Sequence, residues 1–429
     1  MPECPNLHSL TISTVMSRSS GYFRVSHDLD SLLSCNRSIV HLTIENTCVD
    51  WGVLFKYKNI TCLNIKNCTT DSKSSASDFW KLCSNQLESL AMNYVDIPGL
   101  LEMASENEDF FENMKTITIS CMVGLETFVQ LEIVRRCVNL DTLYLGVIPH
   151  DTVNETTVSD LVNLVTSNAW PNLQRLSFNG PEILEKDVVS ILQTLKHCCQ
   201  WDLPCSTFRP QSFSELRKHF ATLVDLNVES YTDLSSELIQ EILCSCPRLQ
   251  AFQGSQIEAK DIVNGQPWVC SSLQSLIVFI NANPPQMVSV ASVANASEFE
   301  LTFGNGKETD KVLNARANEI QMVLFERLSG LRKLSVLKIG DKNAGSGSFS
   351  LGLILRRDRG LEMLGKLVLM EHLHFPGTIQ AMEMDDVEWM LSRWIRLRSL
   401  VGMYCHHSQS RSDMLQRRLG FGGINVERS

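Results

Sequence analysis

The chain has 429 residues, of which 44% are hydrophobic and 20% charged, and its formal net charge is -10. This composition suits a folded protein and argues against a nucleic-acid binder, which carries a basic patch or stripe to neutralise phosphates. No apolar run reaches the length of a bilayer-spanning helix, and the start, MPECPNLHSL, lacks the basic and apolar regions of a signal peptide.

Read in chain order, one pattern recurs: an apolar residue, two variable ones, a second apolar residue, one variable, then a third apolar residue. It appears as LHSLTI (Leu7, Leu10, Ile12), IVHLTI (Ile39, Leu42, Ile44), ITCLNI (Ile60, Leu63, Ile65) and LESLAM (Leu87, Leu90, Met92). It continues as MKTITI (Met114, Ile117, Ile119), LDTLYL (Leu140, Leu143, Leu145), LQRLSF (Leu173, Leu176, Phe178) and LVDLNV (Leu223, Leu226, Val228). LQAFQG at Leu249, LQSLIV at Leu273, LSVLKI at Leu334, MEHLHF at Met370 and LRSLVG at Leu397 complete the series. Degenerate copies are expected at Trp201 in CCQWDL and at Leu301 in EFELTF.

Leu63, Leu90, Ile117 and Leu143 are separated by 27, 27 and 26 residues. A leucine-rich repeat has a period of about 20–29 residues. Between copies, DVVSILQTLKHCC places Val188, Ile191, Leu192 and Leu195 on one helical face. ELIQEILCSC does the same with Leu238, Ile239, Ile242 and Leu243, and ends at Cys246 as the FVQLEIVRRC helix ends at Cys137. A small apolar thiol suits such a crowded corner, and both cysteines are expected buried and reduced. One strand and one helix per repeat cannot bury their apolar faces alone, whereas stacked neighbours can. The expectation is an α/β leucine-rich-repeat solenoid, a horseshoe with parallel strands on the concave face and helices on the convex face. It would run over 1–429 as a single domain of about 15 irregular repeats, with 384–429 as closing repeat and tail. A doubly wound α/β domain would instead show wholly apolar central strands.

The Cys-Pro-x-Leu-x-x-Leu corner, the long irregular repeats and the helix-ending cysteines resemble the leucine-rich repeats of F-box proteins, which share the ribonuclease-inhibitor-like fold. The resemblance covers nearly the whole chain and is loosest from Phe279 to Leu334. MDDVEWMLSRWIRLRSLVG (Met384 to Gly402) resembles the closing unit of fungal members. In that family an N-terminal F-box binds the adaptor of a cullin–RING (SCF-type) ubiquitin ligase, and the repeats hold the protein to be ubiquitinated. No F-box precedes Cys4 in this sequence. Adaptor binding is therefore expected only if an F-box lies upstream, and the chain alone is not expected to couple a partner to the ligase. Two other readings stay open: a free-standing scaffold or inhibitor, and an enzyme whose site is grafted onto loops.

Signals for chemistry are weak. GNGKET (Gly304 to Thr309) lacks the upstream glycine of a phosphate-binding loop, since Leu301 stands there. GDKNAGSGSFSLG (Gly340 to Gly352) reads as a flexible insertion, and RRDRG (Arg356 to Gly360) as a solvated loop. Cys405, His406 and His407 have no second ligand pair at zinc spacing. No catalytic residue, metal or cofactor is expected. The informative residues are those flanking the central apolar position of each strand, which point away from the core. They are His41, Thr43 and Glu45; Asn64 and Lys66; Asn93; Thr142 and Tyr144; Arg175 and Asn179; Asp225, Asn227 and Glu229; and His372 and His374. Tyr144 and Arg175 are of the residue types enriched at binding hot spots. The expected partner is a protein on the concave face, with no nucleic acid and no membrane, and the chain itself a cytoplasmic or nuclear monomer.

Overall fold

The computed structural model describes residues 7–13, 35–36, 38–49, 51–54, 57, 59–70, 80–81, 85–95, 111–120, 127–146, 155–180, 182–204, 206–231, 234–281, 308–340, 353–376, 380, 382–402 and 409–427. The opening corner at Cys4, the Leu301 copy, Cys405, His406, His407 and nearly all of the two glycine-bearing stretches lie outside them. The chain packs as two units, Met1–Arg217 and Lys218–Ser429.

In the first unit the strands are β1 (Ser9–Ser13), β2 (His41–Glu45), β3 (Cys48–Val49), β4 (Cys62–Thr70), β5 (Ser89–Val95), β6 (Thr116–Ser120), β7 (Thr142–Gly146), β8 (Arg175–Asn179) and β9 (Gln200–Asp202). All pair in parallel in chain order, except that the short β3 pairs with the end of β4. Parallel pairing requires a crossover between strands, and helices supply several of them. These are α1 (Trp51–Leu54), α2 (Thr127–Arg135), α3 (Glu155–Thr166), α4 (Glu185–Thr194) and α5 (Pro210–Leu216). Helices α2 to α5 pack side by side in sequence order. The strands alternate in burial, as in the pattern of β6, because one sheet face meets the helices and the other does not. Leu42, Leu63, Leu90, Ile117, Leu143, Leu176 and Trp201 stack in register through the core. Trp201 thus fills a strand position of its own, as its spacing predicted.

The second unit repeats the plan with β10 (Asp225–Asn227), β11 (Ala251–Glu258), β12 (Ser275–Asn281), β13 (Val336–Lys338), β14 (His372–Phe375), β15 (Ser399–Gly402) and β16 (Asn425–Glu427), again parallel in chain order. Its helices are α6 (Ser236–Ser245), α7 (Ala259–Asn264), α8 (Glu308–Ser329), α9 (Met384–Arg393) and α10 (Gln409–Phe421). Each unit is a leucine-rich-repeat solenoid of the α/β class.

Two expectations need correction. Strand β12 pairs directly with β13, Leu276 beside Leu337, so the sheet has no place between them for the further strand expected there, and Leu301 itself lies outside the described residues. The described part of that interval is the 22-residue helix α8 and the turn that leads from it into β13. Beyond Gly402 the chain does not simply tail off: α10 and β16 form a further helix–strand repeat, with Leu400 beside Val426.

The corner before each strand is the most regular feature. The carbonyls of Phe111, Cys137, Trp170, Cys246, Cys270, Leu331, Leu367 and Trp394 each accept a hydrogen bond from the backbone N–H three residues on. All eight of these side chains are buried. Burial pushes the Cys137 thiol well above its ordinary range and those of Cys246 and Cys270 up to about 12. All three are free cysteines. The indole N–H groups of Trp170 and Trp394 donate to Val134 (3.2 Å) and Leu364 (3.4 Å), each in the repeat before. These acceptors lie three residues before Cys137 and Leu367, so two distant repeats close their corners in the same way.

Candidate functional site

The sheet face turned away from the helices carries the side chains singled out from the sequence. In the first unit the strand register sorts them into three rows running across the strands. One row holds Ser9, His41, Cys62, Ser89, Thr116, Thr142, Arg175 and Gln200. The middle row holds Thr11, Thr43, Asn64, Ala91, Thr118, Tyr144, Ser177 and Asp202. The third holds Ser13, Glu45, Lys66, Asn93, Ser120, Gly146 and Asn179. Hydroxyl-bearing and amide side chains dominate, and few are large and apolar.

His41, Lys66, Arg175 and Asn179 are exposed, while Glu45, Asn64, Asn93 and Tyr144 are half-buried. Thr142 departs from expectation. It is buried, and its hydroxyl donates to the Asp141 carboxylate at 2.5 Å. It lies in the same row as its neighbour Arg175, whose longer side chain reaches solvent.

The most ordered patch lies on β7 to β9. The Tyr144 hydroxyl donates to Gln200 Oε1 at 2.6 Å, reaching across β8, and the Ser177 hydroxyl donates to Asp202 Oδ2 at 2.8 Å. Tyr144 is therefore held in one orientation beside the exposed Arg175. Gln200 and Asp202 were missed by sequence reasoning. They flank Trp201 in a degenerate repeat that lacks the leucines marking the others, and their only signal was the spacing that located Trp201.

A second missed residue is Tyr94, which is 52% exposed at the end of β5. Its φ is 51°, matching Asn46 (56°) and Asn67 (51°) at the equivalent place in the two preceding repeats. Asparagine adopts this left-handed conformation readily, and the Asn67 amide donates to Asn46 Oδ1 at 3.1 Å. Tyrosine adopts it at a cost in steric strain. Asn93, beside it, keeps its Oδ1 enclosed without a hydrogen-bond partner among the described residues.

The open face of the second unit is different in kind. Its rows read Asp225, Ala251, Ser275, Val336, His372, Ser399 and Asn425, and Asn227, Gln253, Ile277, Lys338, His374, Val401 and Glu427. Asp225, Asn227 and Glu229 are half-buried and engaged locally. Asn227 Oδ1 accepts from the Glu229 backbone N–H at 3.1 Å, and the Gln253 amide donates to the Glu229 carboxylate. The His372 and His374 rings meet edge to face at 6.3 Å, and the Ser399 hydroxyl lies 3.3 Å from His374 Nε2. The basic run at Arg356 lies at the surface, as expected, with its charges locally paired: Arg356 with Asp358 (2.8 Å), and Arg357 with Glu362 (2.7 Å). Among the described residues no group of three His, Cys, Asp or Glu is placed to hold a metal ion. No helix among them is long and apolar enough to cross a membrane.

No protein-family model matches the chain, and no curated protein matches it. Solved structures similar to it include a leucine-rich-repeat protein of Leptospira interrogans, 13% identical, with a TM-score of 0.36 over 92% of this chain and 91% of that one. A second is the yeast Rad7 and Elc1 complex, 10% identical, with a TM-score of 0.42 over 87% of this chain and 71% of that one. A third is an internalin of Listeria monocytogenes, 11% identical, with a TM-score of 0.33 over 98% of this chain and 86% of that one.

Proposed function

We propose that the chain is a protein-binding solenoid whose contact surface is the open sheet face of the first unit, centred on Tyr144 and Arg175. The observation that carries this reading is the Tyr144–Gln200 hydrogen bond beside an exposed arginine. A tyrosine fixed before a partner arrives loses little side-chain freedom on binding, and tyrosine and arginine concentrate binding energy at protein interfaces. Around them the small hydroxyl-bearing residues of the three rows leave room for a partner's side chains and offer hydrogen bonds. His41, Glu45, Asn64, Lys66, Asn93 and Asn179 belong to the same surface. Asp225, Asn227 and Glu229 are a separate contact set on the second unit.

The specific role that this surface serves, in our reading, is substrate recognition for an F-box-type ubiquitin ligase in the cytoplasm or nucleus. The corner and cysteine pattern supports it through its resemblance to that family, and free buried thiols suit a reducing compartment. The competing role is a scaffold or inhibitor that binds a protein through the same face.

Binding is tested by comparing the wild-type chain with Tyr144→Ala/Arg175→Ala in a pull-down from cell extract. The double variant keeps its fold, since neither side chain belongs to the core, and loses its partner by about 2 kcal/mol or more. Equal recovery by both chains rejects this surface. The two roles separate on turnover: depleting the protein lengthens the partner's half-life if the chain is a ligase receptor, and leaves it unchanged if it is a scaffold.

A further inference from the structure

The last repeats of the second unit carry exposed large apolar side chains at successive corners, where the described corners of the first unit have Val138 alone. One position past the first residue of the corner turn, which is buried at Leu331, Leu367 and Trp394 and is the exposed Gly420 in the last repeat, stand Arg332, Val368, Ile395 and Phe421. They align because β13 to β16 pair in register and because Leu331, Leu367, Trp394 and Gly420 each accept the same turn hydrogen bond. Val368, Ile395 and Phe421 are 53%, 82% and 87% exposed. Strands in a sheet lie about 4.8 Å apart, so these three side chains form one apolar ridge.

The ridge is bordered by cations. Arg332 continues it, Lys366 and Arg393 lie two positions before it, Lys333 and Arg396 one position after, and Arg398 next to β15. All six are exposed, and none is ion-paired among the described residues. Glu371 is the only acidic residue in the stretches 331–335, 366–371, 393–398 and 420–424. Six cations against one anion is a strong local excess in a chain of net charge -10.

We propose that this edge docks the protein peripherally on an anionic membrane surface. A protein partner would need a cavity shaped to each protruding side chain, whereas the headgroup region of a bilayer accepts isoleucine, valine and phenylalanine without one. Cations without fixed acidic partners suit the diffuse negative potential of an anionic leaflet, which rewards each Lys or Arg near it. Such docking needs no spanning helix, so it revises the expectation of no membrane contact that the absence of a long apolar run had suggested.

The test is co-sedimentation of the full chain with vesicles of phosphatidylcholine alone, or of phosphatidylcholine and phosphatidylserine at about three to one. The expected result is binding to the anionic vesicles only, weakened by salt because the attraction is screened. Arg393→Gln/Arg396→Gln/Arg398→Gln and, separately, Ile395→Ser/Phe421→Ser each weaken it by about tenfold or more. Only exposed side chains change, and an unaltered melting profile verifies each fold. Should either multiple variant unfold, Arg396→Gln alone is used and weakens binding severalfold. No binding to anionic vesicles, equal binding to neutral ones, or folded variants that bind as well as wild type would overturn the proposal. Capture by an acidic polypeptide or by nucleic acid without vesicle binding would overturn it too.

Discussion

The corners of the two units share one backbone turn and differ in what they show to solvent. In the first unit the third corner residue is Asn113, Asn139 or Asn172. The amides of Asn113 and Asn139 donate to the carbonyls of Asn85 (2.7 Å) and Glu112 (2.8 Å), tying each repeat to the one before. In the second unit that place is taken by Arg248, Ser272, Lys333, Leu369 and Arg396, and an exposed apolar ridge stands alongside the last of these corners. The buried residue also varies, from cysteine through leucine to tryptophan, without altering the turn. What each repeat needs is a filled corner and a closed turn. The exposed positions are free to carry function.

That comparison can be broken most forcefully at its shared element. Trp170→Ala and Trp394→Ala each remove a buried indole and its hydrogen bond, and each is expected to cost about 3–5 kcal/mol. Limited proteolysis after each substitution should open the unit that carries it: the first for Trp170, the second for Trp394. A loss below about 1 kcal/mol in either would show that the corner does not hold its repeat.

The corner thiols probe the same element without mutation. Cys137 and Cys246 should resist a maleimide at neutral pH in the native protein and react on unfolding, because only an accessible thiolate attacks. Raising the pH to 9 should not speed native labelling, since the folded thiols stay protonated. The unfolded chain, however, loses those protons near its ordinary thiol range. Stability is therefore complete below that range and falls as pH rises through it, toward the folded value near 12 for Cys246. Rapid native labelling of both would contradict their burial.

The outer positions predict the smallest effects and the sharpest contrast. Asn139→Ala should cost about 1 kcal/mol, the net worth of a hydrogen bond. Arg396→Ala, exposed and without an ion-pair partner among the described residues, should stay within about 0.5 kcal/mol. Comparable losses at the two sites would erase the distinction between a structural and a free corner.

Much of this architecture is legible in the residues themselves. The interval from Leu63 to Leu143 gave each strand its place because leucine or isoleucine recurs at the core position. Even Trp201 could be placed by spacing alone. The period is not readable between β12 and β13, which pair directly although 61 residues separate Leu276 from Leu337, or at the last strand, where the core residue shrinks to Val426 in a glycine-flanked repeat. Of the candidate site, outward-facing residues were readable from alternation, but their environment was not. Thr142 and Arg175 occupy equivalent row positions, yet one side chain is short and buried and the other long and exposed. The Tyr144–Gln200 bond joins residues 56 positions apart, which no local pattern announces. The strain at Tyr94 shows only when its backbone is set beside Asn46 and Asn67.

The central claim, that the open face of the first unit binds a protein, is tested most directly by a photo-crosslinking residue placed on either side of that unit. Thr118 neighbours Tyr144 on the open face, and Lys186 is exposed on α4. In cell extract the account predicts a discrete protein adduct from position 118 and none from position 186, with the adduct lost in the Tyr144→Ala/Arg175→Ala background. An adduct from position 186 alone, or one from position 118 that survives both substitutions, would contradict it.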